Sequence, residues 1–395
     1  MRTPTLFSTS NLLTFFLTAA TALAQSAPQT RLSRTTENLR GVSAVSRNIA
    51  WASGTHGTYL RTTDGHIWIP DHVPGAESLD FRGVVAFSAD EAFLMSAGPG
   101  DQSRIYHTAD AGRHWQLQFT NPNPKAFFDS MVFWDQTHGI VLGDPIPDEA
   151  GNLKFELLIT ENGLTWIHIP PAQLPPALEG EGAFAASNSC MAILSQVNSA
   201  VPWKSGASAP PTPGQKEAVL APESSDPNIW FATGGKAARV FHSPDRGQTW
   251  QVFDTPVVHG PDSAGVFSIA FRDATHGVIA GGDYKHPDQD GPNLALTNDG
   301  GKSWALSQIF PQSYYSAVAY DRRVRNPHSE NLNDSQAKAR LFLVDPKFAY
   351  DFRPPQNPTR ISPRKKSKLQ FNAVSTYPSG GALFVGPKGS IAVVP

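Results

Sequence analysis

Short apolar, β-branched and aromatic runs separated by polar turns recur from residue 39 to the end of the chain. Seven stretches start the same way, with an apolar strand, a short turn and a second strand. They read LRGVSAVSRNIAWASG (39–54), FRGVVAFSADEAFLMSAG (81–98), FDSMVFWDQTHGIVLGD (128–144) and AFAASNSCMAILS (183–195). The later ones are FSIAFRDATHGVIAGGD (267–283), YSAVAYDRR (315–323) and FNAVSTYPSGGALFVG (371–386). The pattern predicts a hairpin at each.

Behind five of these starts lies a second repeat, Ser/Thr-x-Asp-x-Gly-x-x-Trp. It appears as TADAGRHW (108–115), SPDRGQTW (243–250) and TNDGGKSW (297–304). A weaker copy, ITENGLTW (159–166), carries Glu161 in the Asp place, and a shortened copy, TTDGHIW, runs from Thr62 to Trp68. The carboxylates Asp64, Asp110, Glu161, Asp245 and Asp299 are read as structural, accepting hydrogen bonds from turn N–H groups beside a glycine that permits positive φ. Trp68, Trp115, Trp166, Trp250 and Trp304 open the next strand and offer a large apolar face to a neighbouring unit.

Units of about 40–50 residues with four short strands each predict an all-β chain, a single seven-bladed β-propeller of four-stranded antiparallel blades. The last unit has room for three strands before residue 395, so the run Gln29–Arg34 is expected to supply the fourth and close the ring. A Pro/Ser/Ala-rich stretch, about 196–228, reads as an insertion inside the fourth unit. Two more, about 324–340 and 352–368, enlarge the sixth, which has no Trp octapeptide.

Composition narrows the chemistry. Lys plus Arg number 32 against 34 Asp plus Glu, so no basic field exists for nucleic acid, and the run Arg364-Lys365-Lys366-Ser367-Lys368 reads as an exposed loop. The single cysteine, Cys190, excludes an internal disulfide, a thiolate zinc site and an iron–sulfur cluster, and reads as a buried thiol. Residues 1–24 have a charged start, a short apolar centre and the small-residue close Ala22-Leu23-Ala24, the layout of a cleaved signal peptide. Residues 25–395 then form the propeller, expected in the periplasm or outside the cell with no transmembrane segment.

The octapeptides resemble the Asp-box, or bacterial neuraminidase repeat. From about residue 30 the whole chain resembles the propellers of the photosystem II stability and assembly factors and their relatives in non-photosynthetic bacteria. Such relatives often carry the label "oxidoreductase", or are grouped with sortilin-like and xyloglucanase-like propellers. The resemblance implies the fold and a protein-binding, non-catalytic role. The chain departs from the regular pattern in its sixth unit and in the proline-rich insertion.

In such a ring the octapeptide turns lie on one face, and a ligand site belongs on the other, around the channel mouth. Residues leading into first strands include Arg40, Asp80, Arg82, Asp129, Glu181, Ser268, Ser316 and Asn372. Loops between second and third strands add Asp101, Gln102, Asp144, Lys236, Asp283 and Tyr284. The binding candidates are Arg40, Asp80, Arg82, Asp129, Asp144, Glu181, Asp283 and Tyr284, with Phe81, Phe128, Phe267 and Tyr315 as aromatic neighbours. A protein or envelope-glycan partner and a monomeric state are expected. The alternative is a glycosidase, sialidase-like or xyloglucanase-like, drawing a pair of carboxylates from Asp80, Asp129, Glu181 and Asp283. The Arg-Ile-Pro segment of sialidases is absent. Dinucleotide, haem, Gly-x-Ser-x-Gly and His-Glu-x-x-His signatures are also missing, so no cofactor and no catalytic residue are assigned. The acidic loops around Asp148 and Glu149, and around His286, Asp288 and Asp290, lack calcium-loop periodicity and read as solvated charge rather than metal sites.

Overall fold

Each apolar run pairs with the next as an antiparallel hairpin, and the hairpins join into seven sheets. The computed structural model describes residues 28–194, 227–307, 313–322, 340–347, 349–352, 359–361 and 370–395. The expected leader 1–24, most of the insertion at 196–228, residues 324–339 and the basic run 364–368 lie outside the described residues.

Blade 1 consists of Leu39–Ala44, Ala50–Gly54, Thr58–Thr62 and Ile69–His72. Blade 2 follows with Phe81–Ala86, Ala92–Ser96, Arg104–Thr108 and Gln116–Thr120. Blade 3 is Phe128–Phe133, Gly139–Pro147, Leu153–Thr160 and Ile167–His168. Blade 4 is Met191–Ile193, Ile229–Ala232, Arg239–Ser243 and Gln251–Asp254. Blade 5 is Ala264–Phe271, Gly277–Asp283, Leu294–Thr297 and Ala305–Leu306. Blade 6 is Ala317–Tyr320, Leu341–Val344, Ala349–Phe352 and Thr359–Ile361. Blade 7 takes Ala373–Thr376, Ala382–Gly386 and Ser390–Val394, and its outer strand is Gln29–Arg31, with Gln29 opposite Val393 and Arg31 opposite Ile391. The protein is a seven-bladed β-propeller closed across its two ends. Among the described residues no helix is long and apolar enough to cross a membrane.

The core is divided among the seven interfaces between blades. Trp115 meets Trp51 and Tyr59 of blade 1 edge-on, with centroids 6.1 and 5.1 Å apart. Trp166 packs against blade 2 and donates Nε1–H to Gln118 Oε1 at 2.9 Å. Trp250 joins blade 3 residues Trp134, Ile140 and Phe155, Trp304 packs with Trp230 of blade 4, and Trp68 closes the seam with blade 7. Every octapeptide tryptophan therefore seals its own blade against the preceding one. Blades 6 and 7 lack it; Tyr315, Tyr350 and Phe352 fill one of their interfaces, and Phe342, Phe371 and Phe384 the other.

The corner turns come in two lengths. In the eight-residue form the carboxylate accepts from the amide four residues on: His114 N to Asp110 at 2.9 Å, Thr249 N to Asp245 at 2.8 Å and Ser303 N to Asp299 at 3.0 Å. The His114 N–H and imidazole hold the Asp110 carboxyl down to about 2. In the seven-residue form Asp64 accepts from His66 N and Ile67 N at 2.8 and 2.7 Å.

The blade 3 corner corrects the sequence reading. Its acceptor is Asn162, whose Oδ1 takes Leu164 N and Thr165 N, both at 2.9 Å, while Gly163 N donates to Thr160 Oγ1. Glu161 instead points to His138, 3.5 Å away. The copy is therefore Thr-x-Asn-Gly-x-x-Trp, the shortened type of blade 1, shifted by one residue from the register that placed Glu161 at the corner. Gly163 has φ +67, and a Cβ there would lie 2.5 Å from Gln136 O, so only glycine fits. Accordingly Asn162→Ala should lower unfolding free energy by about 1 kcal/mol and Glu161→Ala by less than about 0.5 kcal/mol. Urea titration checks the order, and the reverse order would restore the original register.

The fourth unit also differs from expectation. Only Met191–Ile193 forms its first strand, so the insertion falls between first and second strands, and residues 183–189 are not a strand. The reason lies in the channel.

Candidate functional site

Residues leading into first strands and loops between second and third strands meet on one face, as the strand alternation requires. Arg40 Nη2 and Arg82 Nε both donate to the same oxygen of Asp80, at 3.3 and 2.8 Å. The Arg82 guanidinium also lies 5.8 Å from the Phe127 ring centroid. All three charged side chains are about a quarter exposed. On the far side of the mouth, Tyr284 is 48% exposed, with Lys285 Nζ 6.0 Å from its ring centroid. Asp283 accepts from His286 Nδ1 at 2.8 Å and from Lys285 N at 2.9 Å.

Glu181 sits deeper. Its Oε1 accepts from Arg239 Nε at 2.9 Å and Thr233 Oγ1 at 2.6 Å, and its Oε2 from Arg239 Nη2 at 2.5 Å and Leu178 N at 2.8 Å. Both side chains are buried. This is a saturated bidentate pair, with no lone pair left for substrate.

After Glu181–Gly182, which pairs with Gly234–Gly235, the chain turns into the axis. Ala183 N donates to Asp144 Oδ1 at 3.0 Å, and the Ala185 N–H reaches Asp129. Ala185 O accepts from Arg82 Nη1 at 3.2 Å. Phe184 stacks on Phe267 of blade 5, centroids 3.8 Å apart and planes 7° from parallel. That stack needs Gly234, where a Cβ would lie 2.2 Å from the Phe184 ring. Ser187 Oγ donates to Ser316 O of blade 6 at 2.8 Å, and Ser189 Oγ to Ser268 Oγ of blade 5 at 2.8 Å. Asn188 has φ +59; its Oδ1 takes Met131 N at 2.7 Å and its Nδ2 gives to Met131 O at 3.0 Å, imitating a strand partner for blade 3. Residues 183–189 thus touch blades 2, 3, 5 and 6 and lie across the axis as a plug.

The plug explains where the candidates fall. Asp129 is 1% exposed rather than at an open rim, and one of its oxygens has no partner. Burial, and then the nearby Asp144, push its carboxyl well above the ordinary range, against Arg82 and the Ala185 N–H. Burial pushes Asp144 up to about 6, opposed by the Ala183 N–H. Burial likewise raises the Cys190 thiol at the plug's end. The structure brings Arg40, Asp80 and Arg82 together at the surface, Asp129 and Asp144 beneath the plug, and leaves Asp283 and Tyr284 across the mouth. Asn372 bonds Asn38 Oδ1 and Leu39 O at the seam. Phe81, Phe128 and Tyr315 are buried in blade interfaces instead of lining the mouth.

The acidic loops have local partners as well. Asp148 Oδ1 accepts from Ala150 N and Asn152 N, both at 2.9 Å, and Asp288 pairs with Lys347. Sequence reasoning missed Phe184, Asn188 and Arg239. The run Ala183–Ala186 is apolar enough to pass for a strand, and Arg239 lies in an ordinary third strand.

No protein-family profile matches the sequence, and no curated protein matches it. Solved structures do. A structure described as YCF48 bound to D1 peptide superposes with a TM-score of 0.59 at 14% identity, over 94% of this chain and 96% of that one. A GH74 xyloglucanase from Xanthomonas campestris gives 0.54 at 15% identity, over 92% of this chain but 53% of the enzyme. A streptogramin B lyase gives 0.57 at 8% identity, over 93% and 97%. At such identities the likeness establishes the propeller alone.

Proposed function

We propose that this chain is an exported, non-catalytic member of the Asp-box propellers, and that it binds a segment of a partner protein across the channel-mouth face. One observation carries the reading: each candidate carboxylate has at least one oxygen held by a guanidinium, an imidazole or a backbone N–H, while Arg40, Arg82 and Tyr284 keep exposed polar and aromatic surface beside them. Exposed aromatic and arginine side chains are the residue types that dominate binding energy at protein interfaces. The similar fold of the YCF48 structure, whose ligand is a peptide, lends support. The corner hydrogen bonds support the Asp-box grouping, and the layout of residues 1–24 supports export.

The test uses protein from the exported fraction, where its N-terminus is expected at Gln25. A photo-crosslinker placed at the mouth should capture one protein partner from envelope extract. Tyr284→Ala or Arg40→Ala should then weaken binding of that purified partner about tenfold or more. Leu164→Ala, on the opposite face, should leave binding unchanged. Equal binding by the mouth variants, or turnover of a sialoside or β-glucan by the purified chain, would overturn the proposal.

A further inference from the structure

The plug is held by an unusual balance of charge. Two carboxyl groups, Asp129 buried and Asp144 partly buried, grip alternate amides of one segment, Ala185 N–H and Ala183 N–H. The cation facing them is Arg82, and its Nε is already committed to Asp80, which also holds Arg40. Arg239 is committed to Glu181 through a two-bond fork, and the remaining titratable neighbour is the thiol of Cys190. Ionising both carboxyls would set three carboxylates against two guanidinium groups, with Asp129 out of reach of water. One Asp129 oxygen would then stay charged and unpartnered, which burial penalises heavily.

We propose that Ala183–Ser189 is a proton-latched plug: carboxyl groups of Asp129 and Asp144 in their neutral form hold it across the axis, and ionisation of the pair releases it toward the mouth. The latch stands independently of the partner reading, since it concerns the chain's own segment.

The direction follows from linkage. Once the plug is out and solvated, both carboxyls return to the ordinary value near 4, whereas in the closed form burial holds Asp144 up to about 6 and Asp129 well above its ordinary value. Below pH 4 both forms are neutral and the plug stays shut. As pH rises past 4 the open form gives up protons that the closed form keeps, so both carboxyls favour opening; the share of Asp144 stops growing at about 6, and that of Asp129 grows until its carboxyl ionises in the closed form too. Cys190, buried directly behind the plug, is a built-in reporter of opening.

Hydrogen exchange of the full chain, corrected for intrinsic rates, should show protection of 183–190 falling at least about tenfold from pH 4.5 to 7.5, while peptides covering 243–250 stay constant. Asp129→Asn with Asp144→Asn keeps both acceptors without the charge and should flatten the profile. Cys190 labelling by a thiol reagent should then slow at pH 7.5 relative to the unmodified chain. A flat wild-type profile, a fall shared equally by all blades, or a fall that survives the double substitution would each overturn the latch. If the double variant does not fold, the wild-type comparison between 183–190 and 243–250 still decides.

Discussion

Replacing Arg340 with alanine is expected to remove about 3–5 kcal/mol of unfolding free energy, a large share of what holds a propeller blade in place. Blade 6 has no corner tryptophan, and Arg340 stands in for it electrostatically. Its Nε and Nη2 form a fork on Asp351 at 2.8 and 2.7 Å, and its Nη1 reaches Asp321 Oδ2 at 3.0 Å and Pro395 O at 3.3 Å. Asp321 in turn accepts from Gly381 N at 3.3 Å, so the network ties blade 6 to blade 7. Arg340, Asp321 and Asp351 are all buried. Deleting the cation removes the guanidinium shared by two buried carboxylates, and the cost of keeping their negative charge in the interior, more than the lost attraction, sets the size of the effect. Arg340→Lys keeps the charge but not the planar fork and should recover less than half of the loss. Equilibrium unfolding in urea measures both, and a loss below about 1 kcal/mol for Arg340→Ala would show that blade 6 does not depend on this network.

The second large effect concerns Glu181. Glu181→Gln should cost about 3 kcal/mol or more, because Arg239 loses its only bidentate partner while remaining buried. A carboxylate acting on substrate behaves the opposite way: its amide commonly preserves stability and abolishes turnover. Measuring unfolding alongside hydrolysis of a β-glucan therefore separates the two roles of one residue. Unchanged stability with lost hydrolysis would return Glu181 to the catalytic candidates of a glycosidase.

Much of the ring was legible because its signal repeats. Seven strand starts and five tryptophan corners reinforce one another, and each tryptophan does what a large ring at a hairpin corner must, sealing its blade to the one before. Gln29–Arg34 was expected to close the ring, and Gln29–Arg31 does. Corner register failed at Glu161 because a seven-residue turn and an eight-residue turn share the same final Gly-x-x-Trp, and only the hydrogen bonds separate them. Blade 4 failed for a different reason. Residues 183–189 are apolar or small, as strand residues are, yet their burial comes from the axis and not from a sheet. The site was legible only as a neighbourhood. Arg40, Asp80 and Arg82 do meet, whereas Glu181 had a partner, Arg239, that lies 58 residues away in an unremarked strand. Pairing of that kind has no local sequence pattern to announce it.

Six of the seven sheets draw their four main strands from one contiguous stretch of chain, and one unites the two extremities. Closing a loop of several hundred residues costs about 2–3 kcal/mol more in chain entropy than closing one of about twenty. Three rungs, Gln29 to Val393, Thr30 to Ala392 and Arg31 to Ile391, carry that burden together with the Trp68 packing beside them. The wheel is thus a string of locally knitted segments fastened by one narrow clasp, and mechanical or thermal opening has an obvious place to begin.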